Sequence, residues 1–272
     1  MTDLQPFLDK AVEAARAAEA IIRRYYHGDF EVERKADASP VTIADIECER
    51  AIKAVLSEAF PDHGFQGEEL GTDDADAEFV WLIDPIDGTK SFVRGYPFFS
   101  TQIALLKKGQ PDDELIVGVS NAPMFNGGEL ACAAKGLGAW LNDEPIRTSS
   151  VDRLADTSLS LGNIASLAAS PAWASVGQLI GQVHRIRGYG DFYHYHLLAS
   201  GRIDAILESD LNILDIAALT VILREAGGDI TELGGGAIDL PTRSVFATNG
   251  RLRDAISPFV AEWDEARHAP RG

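Results

Sequence analysis

The stretch that most constrains this chain is residues 81–92, which read Trp-Leu-Ile-Asp-Pro-Ile-Asp-Gly-Thr-Lys-Ser-Phe. Its apolar run ends in two carboxylates, Asp84 and Asp87, with one proline between them. Gly88 and Thr89 follow directly, and backbone amides in such a turn can bind an anion. A buried strand that delivers two carboxylates into a turn is typical of a site for a hard cation with oxygen ligands. The alternative is an ordinary Asp-Pro and Asp-Gly turn.

Length and composition predict a soluble globular protein. The 272 residues, with 46% hydrophobic and 24% charged, suffice for one large domain or for two domains that share a core. No run reaches the roughly 20 apolar residues of a membrane span, and the first residues carry no signal-peptide core. Cys48 and Cys132 stand in unrelated contexts, so we expect neither disulfides nor a thiolate metal site, as in a reducing cytoplasm.

The charge balance limits the partners. Asp and Glu number 42 against 24 Lys and Arg, which gives a formal net charge of −18. Such a chain is unsuited to nucleic acid, because binding to phosphates by protein cations dominates that affinity. A phosphorylated substrate would have to be met by bound metal rather than by a basic surface. Most of the acidic residues are expected to form a solvated surface.

Hydrophobic periodicity divides the chain into two halves. Residues 1–145 form an N-terminal α+β half, with helices at 3–26 and 44–60. Short strands follow and predict an antiparallel sheet; they lie at 80–83, 99–107, 116–120, 128–133 and 139–141. In residues 146–272 helices and strands alternate, which predicts an α/β half with a mixed sheet. The helices expected there lie at 171–182, 193–200, 215–226 and 252–265.

Three acids outside this stretch are candidates for the same site. Glu68 follows a glycine and precedes an acidic loop, Asp45 lies in the first turn of a helix, and Asp215 opens an almost wholly apolar helix. A buried carboxylate is costly unless it is paired or coordinated, so Asp215 requires a partner. The alternative is that Asp45 and Asp215 only stabilise their helix dipoles and that Glu68 lies on the surface.

Several motifs occur in a fixed order along the chain. They are Gly-Glu-Glu at 67–69, Asp-Pro-Ile-Asp-Gly-Thr at 84–89, Asp-Ile-Ala-Ala at 215–218 and Glu-Ala-Gly-Gly at 225–228. Together with Lys35 and Val-Thr-x-x-Asp at 41–45, they resemble the inositol monophosphatase-like family of Mg²⁺-dependent, lithium-sensitive phosphatases. The resemblance covers essentially the whole chain. It implies a layered αβαβα sandwich of the inositol monophosphatase and fructose-bisphosphatase type, commonly homodimeric, in which the C-terminal half completes the site.

The resemblance also implies a ligand set for two to three Mg²⁺ ions. Glu68, Asp84 and the backbone carbonyl of Ile86 would hold a first ion. Asp84, Asp87 and Asp215 would hold a second, and a looser third ion would lie near Glu68. This all-oxygen set suits Mg²⁺, which is a hard cation.

The implied reaction is attack of a metal-activated water, in line, on the phosphorus of a phosphomonoester. The amides of Gly88 and Thr89 would bind the phosphate oxygens. The Thr89 hydroxyl, with Glu68 and Asp45 nearby, would orient the water, and no covalent phosphoenzyme is required. Lys35 would assist on the phosphate side, unless it is a surface lysine.

Two further segments resemble histidinol-phosphate phosphatases. Lys-Ser-Phe at 90–92 and Gly-Asp-Phe-Tyr-His-Tyr at 190–195 are closer to that subfamily than to the inositol enzymes, although Phe192 stands where a cysteine is expected. The amine and imidazole of histidinol phosphate can carry positive charge, which Asp191 and Glu208 would bind. The alternatives are that Asp191 caps a helix and that the Tyr/His cluster is core packing.

The favoured hypothesis is hydrolysis of histidinol phosphate to histidinol, in histidine biosynthesis. The alternative is the same chemistry on inositol 1-phosphate or on a broader set of sugar phosphates; Leu214, where the family commonly has Trp or Tyr, bears on this choice. A 3′(2′),5′-bisphosphate nucleotidase is disfavoured because no basic patch for a second phosphate is evident. A non-catalytic relative is disfavoured because the ligand set is intact. We expect a small-molecule phosphomonoester as partner, and neither nucleic acid nor membrane.

Overall fold

A computed structural model describes residues 3–26, 28, 32–34, 40–109 and 112–263 of the chain. These residues pack as two compact units. The first unit contains the described residues up to Glu144 together with Leu214–Ile222. The second contains those from Pro145 to Ile213 and from Leu223 onward. The first unit thus includes a segment from late in the chain that the predicted division into 1–145 and 146–272 assigns to the other half.

The first unit begins with two amphipathic helices, α1 (Gln5–Tyr25) and α2 (Ile43–Ala59), as predicted. A capping box starts α2: Thr42 Oγ accepts the Ala44 N–H at 3.1 Å, and Asp45 Oδ2 accepts the Thr42 N–H at 2.8 Å. Small residues at helical spacing let α1 pack closely; its buried face includes Leu8, Ala11, Ala15, Ala18 and Ile22.

The first unit is built on an eight-stranded sheet, and a separate antiparallel pair, β1 (Val32–Arg34) and β2 (Pro40–Thr42), precedes α2. The sheet strands are β3 (Gly64–Gly67), β4 (Gly71–Asp73), β5 (Phe79–Asp87), β6 (Ser100–Lys107), β7 (Glu114–Ala122), β8 (Glu129–Ala134), β9 (Gly138–Leu141) and β10 (Glu144–Pro145). Their order is β10-β9-β8-β7-β6-β5-β3-β4. From β5 to β9 each strand pairs antiparallel with the next, as predicted, whereas β3 and β5 are parallel.

The core of the first unit joins this sheet to α1 and α2. Alternate residues of the central strands point to the helices and are almost fully buried; they include Trp81, Ile83, Ile103, Leu105, Val117 and Val119. Their apolar area, removed from water, supplies the main favourable term in folding. The central strands therefore have a fixed register, because a shift by one residue would turn this apolar set away from the helices.

The second unit has a five-stranded mixed sheet, as predicted. Its elements are β11 (Ser158–Leu161), α4 (Ile164–Ala169), α5 (Trp173–Ile180), β12 (Arg185–Arg187), α6 (Asp191–Ala199), β13 (Ala205–Ser209), β14 (Asp229–Thr231), β15 (Ser244–Thr248) and α8 (Arg253–Ile256). The short helix α3 (Thr89–Val93) and most of the long helix α7 (Ile213–Glu225) belong to the first unit. The order is β12-β11-β13-β15-β14. Strands β12 and β13 run parallel to β11, and β15 runs antiparallel to both of its neighbours.

Two predicted boundaries are wrong. Strand β5 continues to Asp87, four residues past the predicted end at Ile83, because an irregular pairing with β6 accommodates the proline. The final helix, predicted at 252–265, ends at Ile256, and a 3-10 turn follows at Ser257–Phe259. Pro258 explains the stop, since it has no N–H to donate to the carbonyl of Asp254 and so interrupts the helical hydrogen bonds.

Helix α1 is the longest of the described helices, and its face toward solvent is strongly charged. Within the described ranges, no helix combines the length and the apolar character needed to cross a membrane.

Helix α7 lies against the sheet of the first unit at Gly118 of β7. A Cβ at this glycine would lie 2.3 Å from the carbonyl oxygen of Ala218. The neighbours Val117 and Val119 face the core with α1 and α2. Because side chains alternate across a strand, α7 therefore packs on the opposite face of the sheet. The helix that carries Asp215 is placed by this contact.

We expect Gly118→Ala to destabilise the protein by about 1–3 kcal/mol, because the added methyl group meets backbone that cannot move aside. Gly177→Ala is the matched control. Gly177 lies in α5 with no atom near the position of its missing Cβ, so alanine there should stabilise by about 0.5–1 kcal/mol. Urea unfolding of both variants measures the difference. Equal stabilities would contradict the close packing of α7 on β7.

Candidate metal centre

Three carboxylates from distant parts of the sequence converge in the first unit. Asp84 and Asp87 come from β5 and Asp215 from the first turn of α7, and each offers an oxygen within 4.8 Å of the others. Asp84 is buried, whereas Asp87 and Asp215 are half-buried. The structure thus brings together the three residues that the sequence analysis assigns to one ion.

A bulge in β5 makes this convergence possible. In a regular strand, residues three apart point to opposite faces of the sheet. Here Asp84 pairs with Gln102 and Asp87 with Ser100, so three steps on β5 oppose two steps on β6. The extra residue turns the strand and brings both carboxylates to one side. The motif is therefore an irregular strand end, and not the turn after a strand that the sequence predicts.

Hydrogen bonds inside the bulge fix its shape. The Thr101 hydroxyl donates to the carbonyl of Pro85 at 2.9 Å, and the Ile86 N–H donates to Asp84 Oδ1 at 3.0 Å. Proline has no N–H and is found within sheets mainly at bulges and edges. One oxygen of Asp84 is thus held by its own backbone, which orients the carboxylate.

Glu68 joins the three acids from the turn between β3 and β4. Its N–H donates to the carbonyl of Ile83 at 3.1 Å, and its side chain shares a hydrogen bond with Asp84. Burial raises the pKa of Asp84 well above its usual range, and repulsion from Glu68, Asp87 and Asp215 raises this pKa further.

This repulsion is the test of whether the residues fit a metal. Like charges held together oppose ionisation unless a cation neutralises them. Among the described residues, the group consists of Asp84, Asp87 and Asp215, so every side chain in it is a carboxylate. Carboxylates are the ligands that Mg²⁺ prefers, whereas histidine and thiolate ligands suit softer metals. The donor chemistry therefore fits the implied Mg²⁺ ions.

Gly88 begins the short helix α3 directly after the acids. Its φ is +94°, in the left-handed region that favours glycine, and a Cβ would lie 2.6 Å from the carbonyl oxygen of Phe98. No other residue fits both constraints. The backbone at Gly88 therefore packs closely against Phe98, and the binding of phosphate by the amides of Gly88 and Thr89 stays a prediction.

The hydroxyl of Thr89 lies between two acceptors. It is 3.0 Å from the carbonyl oxygen of Ile86 and 3.3 Å from Asp45 Oδ1. The other oxygen of Asp45 accepts the hydroxyl of Thr42 at 2.6 Å. Burial raises the pKa of Asp45, its hydrogen bonds with Thr42 lower it, and the charge of Glu68 raises it again. Asp45 thus both starts α2 and contacts Thr89.

Glu208 lies in the second unit, on β13, and its residue is 6% exposed. Its Oε2 is 3.0 Å from His194 Nε2 and accepts the Tyr195 hydroxyl at 2.8 Å. His194 Nδ1 lies 3.2 Å from Ser160 Oγ. His194 and Tyr195 are buried, so core packing, the alternative noted for the Tyr/His cluster, describes these two residues.

Asp191 is exposed at the first residue of α6, and its φ is +45°. The helix N-cap is Gly190, so Asp191 lies one residue past the cap position. Lys35, the remaining predicted site residue, lies outside the described residues. The roles of Asp191, Glu208 and Lys35 stay predictions.

One residue of the site's surroundings was missed by the sequence analysis. Glu49 is fully buried on α2, and its carboxylate accepts backbone N–H groups of the turn that carries Glu68. The signal was present: Glu49 follows Asp45 by four residues, which places both acids on one face of the helix, beside the apolar positions Cys48 and Ile52.

Comparison with known proteins identifies the family and agrees with this fold. The model of the inositol monophosphatase family matches residues 3–263. A histidinol-phosphatase of Mycobacterium tuberculosis is 38% identical over 248 residues, covering 89% of this chain and 93% of that protein. Inositol monophosphatase 3 of Solanum lycopersicum is 35% identical, covering 95% and 98%.

Solved structures show the same fold. The extragenic suppressor protein suhB of Bartonella henselae superposes with a TM-score of 0.83 at 30% identity, covering 96% of this chain and all of that one. The predicted fold class and the resemblance noted from the motifs are both confirmed. The chain belongs to the inositol monophosphatase family, whose members are metal-dependent phosphatases.

Proposed function

We propose that this chain is a Mg²⁺-dependent phosphomonoesterase. The observation that carries the proposal is the convergence of Asp84, Asp87 and Asp215, together with the side-chain hydrogen bond between Glu68 and Asp84. Such a group of acids is costly in a folded protein without a cation. Because the chain belongs to a phosphatase family, we infer that the cation takes part in hydrolysis of a phosphate ester.

Five groups would hold two or three Mg²⁺ ions: the carboxylates of Glu68, Asp84, Asp87 and Asp215 and the carbonyl of Ile86. When bound, the ions supply Lewis acidity toward the phosphoryl group and lower the pKa of water. The bulge of β5 orients the two aspartates before any ligand arrives.

The remaining residues would position water and phosphate. The Thr89 hydroxyl donates either to Ile86 or to Asp45, which leaves its lone pairs to accept from an attacking water. Asp45 or Glu68 would receive the proton of that water. The amides of Gly88 and Thr89 would bind the phosphate oxygens.

We propose histidinol phosphate as the substrate, with inositol 1-phosphate as the second candidate. The relatives named histidinol-phosphatase support the first, and those named inositol monophosphatase support the second. Glu208 favours the first candidate. His194 and Tyr195 contact its Oε2, whereas its Oε1 accepts no hydrogen bond from the residues that the structure describes. A carboxylate that is held in place through one oxygen offers the other to an ammonium or imidazolium donor. Exposed Asp191 would bind the second positive group.

Asp84→Asn should lower phosphate release by a factor on the order of 10³ or more. The substitution removes a charged ligand that two ions would share, and about 1.4 kcal/mol of lost transition-state stabilisation costs tenfold in rate. Asp76→Asn removes a charge from the exposed acidic loop and should leave the rate unchanged. Retained turnover in Asp84→Asn would refute the enzyme proposal.

Mg²⁺ should raise the melting temperature of the wild-type protein, and EDTA should reverse the rise. A ligand at 100 times its dissociation constant adds about 2.7 kcal/mol to the stability of the folded state. Differential scanning calorimetry with and without Mg²⁺ measures this shift. Asp84→Asn relieves the repulsion without metal, so its EDTA-treated form should melt above the wild type and gain less from Mg²⁺.

Histidinol phosphate should be hydrolysed with a higher kcat/KM than inositol 1-phosphate when both are assayed with Mg²⁺. Glu208→Gln should raise the KM for histidinol phosphate about tenfold or more, because a hydrogen bond to a charged group contributes about 1.5–3 kcal/mol. Asp152→Asn, an exposed acid of the second unit, is the control. Equal rates, or rates that favour inositol 1-phosphate, would contradict the choice of substrate but not the phosphatase proposal.

A further inference from the structure

Glu49 is a buried carboxylate that the proposed chemistry does not use. It lies in the middle of α2, and the residue is 0% exposed. Burying a carboxylate is costly unless hydrogen bonds or an opposite charge compensate. Its contacts therefore indicate what this charge does in the fold.

The carboxylate of Glu49 accepts from the turn between β3 and β4. The N–H of Glu69 donates to Oε2 at 2.7 Å, and the N–H of Leu70 lies 3.2 Å from Oε1 and 3.3 Å from Oε2. These two amides directly follow Glu68 in the chain. On its other side, Glu68 is tied to β5 through its own N–H and the carbonyl of Ile83. The backbone at Glu68 is thus held from both α2 and β5.

Lys53 balances the charge of Glu49. Its Nζ lies 3.4 Å from Glu49 Oε1, one helical turn along α2, and 5.7 Å from the ring centre of Phe65 on β3. The Glu49–Lys53 pair has no net charge, so it adds little to the repulsion among the acids of the metal centre. This sets Glu49 apart from Asp84, whose neighbours are carboxylates.

Gly67 leaves the space that Glu49 occupies. A Cβ at this residue would lie 1.8 Å from Glu49 Oε1 and 2.3 Å from its Cδ. Any side chain at position 67 would displace the carboxylate from the amides of the turn. Position 67, before Glu68, therefore requires glycine, because the carboxylate of Glu49 occupies the place of a Cβ.

We propose that Glu49 is a positioning residue for the metal ligand Glu68. It fixes the turn so that the Glu68 carboxyl group meets Asp84, and it is not itself a ligand. One face of helix α2 then contributes two residues to the site. Asp45 contacts Thr89, and Glu49, four residues later, binds the turn that carries Glu68. This inference depends on the proposed metal site and assigns a role to a further residue.

The test measures metal affinity and not turnover. Mn²⁺ is the probe, titrated into the full-length protein and followed by electron paramagnetic resonance of the free ion. Glu49→Gln keeps the shape of the side chain but replaces one acceptor oxygen by a donor, which opposes a backbone N–H or Lys53. We expect Mn²⁺ affinity at the Glu68 site to weaken by about 10–100-fold, as when groups that orient metal ligands are lost. Glu47→Gln, on the same helix and with the same change of charge, should bind as the wild type does.

Gly67→Ala tests the same contact without removing a charge. It should weaken Mn²⁺ binding as Glu49→Gln does, and it keeps the proposal testable if that variant does not fold. The double variant Glu49→Ala/Gly67→Ala completes the cycle. Once the carboxylate is absent, the methyl group at position 67 has room, so Gly67→Ala should add little to the loss caused by Glu49→Ala.

Each outcome has one meaning. If the folded wild-type protein binds no Mn²⁺, the proposed metal site is refuted. If the wild type binds and Glu49→Gln binds within about twofold of it, the role of Glu49 is refuted and the metal site stands. Fully additive losses in the cycle would also refute that role, because two independent perturbations add. Melting temperatures in EDTA show whether each variant is folded.

Discussion

The structure of this site depends on the repulsion among carboxylates gathered at the end of β5. Burial and three acidic neighbours raise the pKa of Asp84, so the folded chain without a cation holds charges that oppose one another. The cost must be met by packing elsewhere, since the net stability of a domain is small beside such terms. The bulge of β5 and the placement of α7 on Gly118 hold the acids in spite of this repulsion.

The acids of the site and its surroundings fall into two kinds. Asp84, Asp87 and Asp215 face one another, as in a cation site. Glu49 and Asp45 instead accept hydrogen bonds from backbone or hydroxyl groups, and Glu49 also pairs with Lys53. The first kind suits a cation, and the second kind holds neighbouring groups in place. The partners of each carboxylate make this distinction, because each kind includes fully buried residues.

The second unit applies a related principle to Glu208. One oxygen of its carboxylate is held by the buried side chains of His194 and Tyr195, and Ser160 contacts the far nitrogen of the imidazole. A carboxylate anchored at one oxygen keeps its direction. A fixed direction is what the proposed recognition of a cationic group would require.

Local patterns in the sequence are sufficient to predict much of the fold and the residue types of the candidate site. Periodicity located α1, α2 and most strands, and the order of the acidic motifs indicated the family, because both signals lie within short windows. Neither could show that β5 continues to Asp87 through a bulge, since a bulge is defined by the register with β6. The spacing of Glu49 from Asp45 places both on one face of α2, but it could not show the contact of Glu49 with the Glu68 turn or explain Gly67, because that contact joins a helix to a turn of another element. The sequence by itself thus determines which residue types form the candidate metal centre. The directions of their side chains depend on strand register and helix packing, which exist only in the folded chain.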